Sequence, residues 1–437
     1  MEWYTASALL MGLAIVFLGF GIPVAFAFLL TNVIAVLIFV GDPQRLSQIV
    51  LNASSIMTSY ALVPIPLFLL KGAIFFRSGL ANLVFDAAEK CMGNVHGRLA
   101  YLTIIVGTVF ASMTGSGMAT TAMLGAMLVP EMLRRGYSPA LAIGPILGVG
   151  GVAMIIPPSA LAVLFGSLAR IDIGALLVAG TFPALLLSAG YMATVRIQLW
   201  LNPALAPVYA TDRLAFTSKV WLLTRDVAPM LLVIFGMVGL LVLGIATPSE
   251  SAAFGVAGMV ILTVLYRRFS ARVMVESIRD TLAVTGMVFF LILNSSTFSQ
   301  MLAYSGAASG IVRFASSLAL GPHEIILMML GIVVLLGCFM DAISIMLLAI
   351  PVFAPIIFAL GIDPIWFGIL ILIGLEVGTI TPPFGLHLFI MQGMAPKGTT
   401  FRDVVRAGAP FLAATFIILG FLVAFPGIVT FFRDFLS

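Results

Sequence analysis

The dipeptide Pro157-Pro158 lies deep in an apolar stretch and recurs 225 residues later as Pro382-Pro383. Its surroundings recur in step: Pro23 answers to Pro248, Pro130 to Pro355, Gly136 to Gly361 and Pro139 to Pro364. The chain is therefore built from two copies of one unit, residues 1–225 and 226–437. Proline removes a backbone donor and clashes with the preceding turn, so each copy interrupts a helix partway along its length. With 62% hydrophobic and 9% charged residues, the chain cannot clothe itself in a water-facing surface and reads as an all-α polytopic membrane protein. A helix broken inside a bilayer is tolerated only where the break is buried in protein or lines a cavity. Duplicated halves with matched interruptions are the pattern of a secondary transporter.

Residues 5–40 are too long for one span of about 20 residues and divide at Gly19-Phe20-Gly21-Ile22-Pro23. The stretch opens with Glu2 and carries no small-residue cleavage site, so mature transmembrane helix is expected here rather than a signal peptide. The second copy divides likewise, into helices predicted near 227–243 and 248–266, where Thr247, Pro248 and Glu250 take the N-cap, N1 and N3 places of a capping box. A third span follows in each copy, near 57–76 and 281–300. Then come shorter, more polar segments, 79–97 and 304–322, that suit helices lying along the membrane interface. Next, an apolar run at 99–133 holds Thr114-Gly115-Ser116-Gly117 in its middle, and each flank is too short to cross. It predicts a re-entrant helical hairpin whose tip stops near the midplane; the counterpart at 325–358 is expected to turn near Phe339–Ser344. Each hairpin precedes a Pro-Pro helix, 139–169 and 365–395, and a closing span, 174–199 and 408–430.

Five crossings per copy, an odd number, make the two repeats inverted. Placing the N-terminus outside puts 16 Lys and Arg side chains inside, Arg213 and Lys397 among them. Four fall outside (Arg45, Arg170, Arg313 and Arg433), and Lys71 lies within a span. This bias obeys the positive-inside rule and puts both termini on the outer face. The net charge of +4 is then a topology signal set against membrane lipid, with no call for nucleic acid.

Asp341 and Glu376 are the two acids this topology places near the midplane, where a charge costs about 2.5–3.5 kcal/mol on insertion scales. Asp341, at the second hairpin tip, reads as a ligand for a cation or polar substrate, against a plainer role capping the hairpin's own helix. Glu376 reads equally as a site residue or as a partner for backbone freed by the break. Unwound backbone supplies carbonyls and Ser or Thr supplies hydroxyls, the oxygen set a sodium ion wants. The first tip offers Ser112, Thr114, Gly115, Ser116 and Thr120, and the first break Gly150, Gly151, Pro157, Pro158 and Ser159. The second tip offers Asp341 and Ser344, and the second break Gly378, Thr379, Thr381, Pro382 and Pro383. Helix N-termini at such breaks favour an anionic substrate. Gly and Ser also serve close helix packing, yet four interruptions in two matched pairs favour a site.

His96, His323 and His387 lack metal-ligand spacing, Cys91 and Cys338 are far apart, and no Walker-type loop occurs, so neither transition-metal catalysis nor ATP hydrolysis is expected. Trp3, Trp200, Trp221 and Trp366 read as interfacial anchors.

Several stretches carry a family resemblance. Thr114-Gly115-Ser116-Gly117-x-Ala119-Thr120, Val129-Pro130-Glu131-Met132, Arg135-Gly136-Tyr137 and Ile156-Pro157-Pro158-Ser159 resemble the large membrane subunit of tripartite ATP-independent periplasmic (TRAP) transporters. So do Ala246-Thr247-Pro248-Ser249-Glu250, Gly361-Ile362-Asp363-Pro364 and Gly378 through Gly385 in the second copy. The family usually has Ser where Thr114 stands, and Thr-Glu-Ala where Ser249-Glu250-Ser251 stands. The resemblance implies an elevator-type, sodium-coupled importer of small organic anions in the bacterial inner membrane, with no cofactor beyond the coupling ions. It implies a secreted periplasmic binding protein and a small four-helix membrane subunit, expected as a separate polypeptide. It further implies that hairpins and broken helices move against a scaffold made by the other spans. On the same ground the sodium sites are expected at the named tips and breaks, and Ser116, Ser159 and Asp341 as substrate contacts. The rival readings are a stand-alone divalent-anion symporter of similar architecture and, remotely, an intramembrane enzyme, for which no catalytic dyad is found.

Overall fold

The computed structural model describes residues 2–40, 54–207, 215–318, 320–396 and 398–436; Arg45, Arg213 and Lys397 of the charge count lie outside them. The apolar runs fold as helices because a helix satisfies each backbone group within its own segment. In the first half, α1 (Trp3–Gly19) and α2 (Val24–Ala35) part at a turn where Gly21 takes a φ of 77°, open to glycine at no steric cost. There follow α3 (Pro64–Arg77), the short α4 (Leu80–Cys91), a hairpin of α5 (Arg98–Thr114) and α6 (Gly117–Arg134), a broken helix of α7 (Pro139–Val152) and α8 (Ala160–Ala169), and the long α9 (Ile173–Leu201).

The second half, entered through α10 (Phe216–Leu222), presents the same order. It runs through α11 (Ala228–Val242), α12 (Pro248–Leu265), α13 (Ala271–Tyr304), the short α14 (Ala307–Ser317), a hairpin of α15 (Pro322–Gly337) and α16 (Ala342–Ala359), a broken helix of α17 (Pro364–Ile380) and α18 (Leu386–Met394), and α19 (Phe401–Ala424). The capping box at Thr247 and Glu250 is present, with each residue's side chain satisfying the other's backbone N–H.

Four boundaries differ from expectation. The third span of the second half extends to 34 residues. The closing span stops at Ala424, because Pro426 cannot continue the hydrogen-bond ladder, and a further helix, α20 (Pro426–Leu436), begins there. The second tip is shorter than predicted: Asp341 is the N-cap and Ser344 already lies in the first turn of α16. Gly150 and Gly151, and likewise Gly378 and Thr379, stand in the last turns of α7 and α17, so the breaks proper run from 153 to 159 and from 381 to 385. Both Pro-Pro bonds are cis.

Burial separates two kinds of helix. Every residue of α17 from Ile365 to Ile380 is buried, whereas α11, α12 and α13 leave Leu232, Phe235, Leu265 and Leu282 each more than 60% exposed. Large apolar side chains on an outer surface are what lipid contact requires. The hairpins and broken helices pack crosswise: α6 lies against α18 and α16 against α8, so the second arm of each hairpin meets the second half of the other copy's broken helix. Around them α3 packs against α12 and α13. Its end is tied to α13 by Arg77, which pairs with Glu276 and Asp280 at 2.6 Å each.

Candidate functional site

All four interruptions converge on one cleft. Ser116 and Gly117 come from the first tip, Met154 from the first break and Ala160 from the helix it starts, Ile343 from the first turn after the second tip, and Thr379 and His387 from the helix ends flanking the second break. The cleft encloses about 690 Å³ counting its open mouth, and α3 and α13 wall one side. The tips reach it because glycine lets backbone approach backbone. A Cβ on Gly117 would meet the Gly150 carbonyl oxygen at 2.7 Å, and one on Gly337 would meet the Gly378 Cα at 2.4 Å. Each tip thus rests on the break of its own copy.

At the first tip, Gly115 takes a φ of 60° at the end of α5, and Ser116 caps α6 by accepting from the Ala119 N–H at 3.4 Å. Thr114 is spent within the tip: its hydroxyl lies 2.8 Å from the Thr120 hydroxyl and accepts from the Ser116 N–H. The Ser112 hydroxyl, by contrast, is buried without a hydrogen-bond partner, as is that of Thr121 on α6. At the first break, Ser159 is fully buried. Its hydroxyl donates to the Met154 carbonyl at 2.7 Å and accepts from the Ala162 N–H at 3.2 Å, capping α8 away from the cleft. The carbonyls of Gly150 and Gly151 each accept a bond from the start of the break.

At the second tip, one Asp341 carboxylate oxygen accepts from the Ile343 and Ser344 N–H groups at 3.1 and 3.2 Å, and the other accepts from the Ser344 hydroxyl. Asp341 lines a separate recess beside Phe339 and Phe384, not the shared cleft. At the second break, Thr379 donates to the Glu376 carbonyl and Thr381 to the Val377 carbonyl, so each hydroxyl closes the last turn of α17. A further cleft, lined by Arg170 and by Ser59, Ser295 and Ser299, opens between α8, α13 and the segment leading into α3.

The sequence reading singled out Glu376 but neither its histidine partner nor a role for Lys71, and both lie at the centre. His387 is 1% exposed and Glu376 3% exposed; Nδ1 of the imidazole lies 3.2 Å from Oε1 of the carboxylate. The pair fits because Gly151 has no side chain, since a Cβ there would stand 2.2 Å from the Glu376 Cγ. Nε2 of His387 is buried and has no hydrogen-bond partner. The available signal was the repeat itself: Gly151 is the counterpart of Glu376 at the 225-residue spacing. The other is Lys71, which is wholly buried on α3, with Nζ donating to the Ser112 carbonyl at 2.9 Å and the Phe68 ring 5.4 Å away. Here too the approach needs a glycine, because a Cβ on Gly72 would lie 3.0 Å from the Thr114 Cα.

The family model described as the tripartite ATP-independent periplasmic transporter, DctM component, matches residues 11–428. The C4-dicarboxylate TRAP transporter large permease protein of Pseudomonas aeruginosa PAO1 is 31% identical over 403 residues, covering 91% of this chain and 92% of that protein. The isethionate TRAP transporter permease protein DctMQ of Oleidesulfovibrio alaskensis G20 is 26% identical over 97% of this chain and 66% of its own length. In three dimensions, the YdaH transporter of Alcanivorax borkumensis superposes with a TM-score of 0.66 at 14% identity, over 88% of this chain and 90% of that one, a likeness of fold.

Proposed function

The chain belongs to the DctM family, the large permease component of tripartite ATP-independent periplasmic transporters, and we infer that it imports a small organic acid anion across the bacterial inner membrane with sodium as the coupling ion. It is a membrane transport protein and not an enzyme. Large permeases of this kind work with a small permease and a periplasmic binding protein. For this chain we take the small subunit to be a separate four-helix polypeptide.

The observation that carries the reading is the convergence of two tips and two breaks on one cleft. Helix ends brought together in an apolar setting offer uncommitted carbonyls and N–H groups, the means by which a protein replaces the water shell of an ion or a carboxylate. In this reading, one sodium sits where the first tip meets the first break, with oxygens drawn from Ser112, Thr114, Gly115, Gly150, Gly151 and Pro157. A second sits at Gly378, Thr379, Thr381 and Pro382, beside the tip that Asp341 and Ser344 order. Ser116 contacts substrate, while Ser159 and Asp341 hold the shapes of the break and the tip. The four-helix group α5–α8 and its counterpart α15–α18 form a transport unit that moves as an elevator against the remaining helices. The two copies are inverted, and both termini are periplasmic.

The test is uptake into proteoliposomes holding this chain and its small subunit, with radiolabelled succinate and isethionate as probes. Accumulation is expected to require both an inward sodium gradient and the binding protein. Uptake by this chain alone would favour the stand-alone symporter, and uptake indifferent to sodium would remove the coupling ion.

A further inference from the structure

We propose that His387 is a substrate-contact residue: its Nε2 and the N-terminus of α6 together form the seat for the anionic group of the transported acid. This rests on the import reading above, and it names the group in the cleft that recognises the substrate's charge.

Nε2 is a polar atom shut away from water with no partner, on a residue that lines the cleft. A buried polar atom left unpaired costs free energy that a bound ligand can recover. The ring edge is set against the first residue of α6, since a Cβ on Gly117 would lie 2.9 Å from Cε1 and 3.3 Å from Nε2. Helix α6 is 18 residues long, and its first turn leaves the N–H groups of Gly117 and Met118 without intrahelical acceptors. These amides, the partial positive charge of the helix end and Nε2 all bear on one spot in an otherwise apolar cleft.

Glu376 acts on this spot through the ring. Its Oε1 faces Nδ1 at 3.2 Å, which fixes the ring plane and leaves Nε2 as the free ring nitrogen. An Nε2 that carries the ring's proton presents its N–H as a donor to an anion on the side opposite Glu376. The arrangement exists in one copy only, because the counterparts of Glu376 and His387 are Gly151 and Ala162. One substrate therefore meets one histidine.

Two substitutions separate contact from packing. His387→Asn keeps a donor where Nδ1 faces Glu376 and removes the Nε2 position; His387→Gln does the reverse. In the complete assembly, with succinate and isethionate as probes, the Asn variant is expected to raise the half-saturating concentration about tenfold or more, the loss of one hydrogen bond to a charged group. Its maximal rate should stay within about twofold, and the Gln variant's half-saturation within about threefold, both with melting temperatures near wild type. An Asn variant with wild-type half-saturation overturns the proposal. So does a loss confined to maximal rate and melting temperature, which marks a packing histidine. A tenfold rise in the Gln variant, where the donor is kept, overturns it as well. A wild-type assembly that takes up neither probe overturns the import reading itself, and this inference with it.

Discussion

The two hairpin tips occupy matching places in the repeat, and their N-caps, Ser116 and Asp341, stand 225 residues apart. They use those places differently. Asp341 has two backbone N–H groups and one hydroxyl from its own helix, so its carboxylate is solvated locally and both oxygens are engaged. Ser116 holds one long bond at 3.4 Å and faces the shared cleft, and beneath it the Ser112 hydroxyl has no partner at all. The more strongly polar tip is the more self-sufficient one. A charge placed in an apolar interior must first be solvated by the protein, and at the second tip that requirement consumes the groups a ligand would otherwise meet. Unengaged polar groups lie instead at the first tip and at His387.

The largest effect is expected where the copies fill the same space in opposite ways. Gly151→Ala drives a methyl into the Glu376 side chain, 2.2 Å from Cγ. This should cost about 1–3 kcal/mol of stability, read as a lower melting temperature in nanodiscs, and Gly151→Ala with Glu376→Ala should restore most of it. A wild-type melting temperature for the single variant would show that the glycine is not there to admit the glutamate.

At the second tip, Asp341→Ala removes the cap and should cost about 1 kcal/mol, while Asp341→Asn keeps a capping oxygen and should stay within a few tenths. Sodium-driven uptake by the Asn variant is then expected within about threefold of wild type, since the cap survives. If that variant melts normally yet loses sodium-driven uptake, the carboxylate is a ligand and the contrast between the tips collapses. The smallest effect belongs to Ser116→Ala. Its long cap bond is worth about half a kcal/mol, and its half-saturating substrate concentration should rise about two- to threefold. A rise matching that of His387→Asn would shift the anion's seat onto the hydroxyl.

Much of the fold was legible because its punctuation is chemical. Proline cannot continue a helix and glycine takes the turns, so Pro23, Pro248 and the two Pro-Pro pairs mark helix ends wherever the surroundings would place them. The site was less legible. Asp341 announced itself as an acid in an apolar run, but the three groups that satisfy it include backbone N–H groups, which leave no trace in residue type. His387 looked isolated because its partner lies eleven residues earlier across the Pro-Pro break. The room for that partner is made by a glycine in the other copy. Contacts that cross between copies have no local signature. They show only when the two halves are set side by side and a glycine is found opposite a glutamate.

Lys71 has a mechanical consequence. Its amine is anchored to the Ser112 carbonyl of α5, on a different element from its own, and it has no exposure to water. A displacement of α5 along α3 by a full helical turn, about 5.4 Å, would carry the carbonyl out of hydrogen-bond range and leave a buried donor unpaired, at a cost of about 1–3 kcal/mol. The contact therefore behaves as a detent. Small excursions would be pulled back, and a large one could come to rest only where another acceptor or a water meets the amine. If α5 travels along α3, as the elevator reading requires, that travel would be divided into stations spaced by a single lysine.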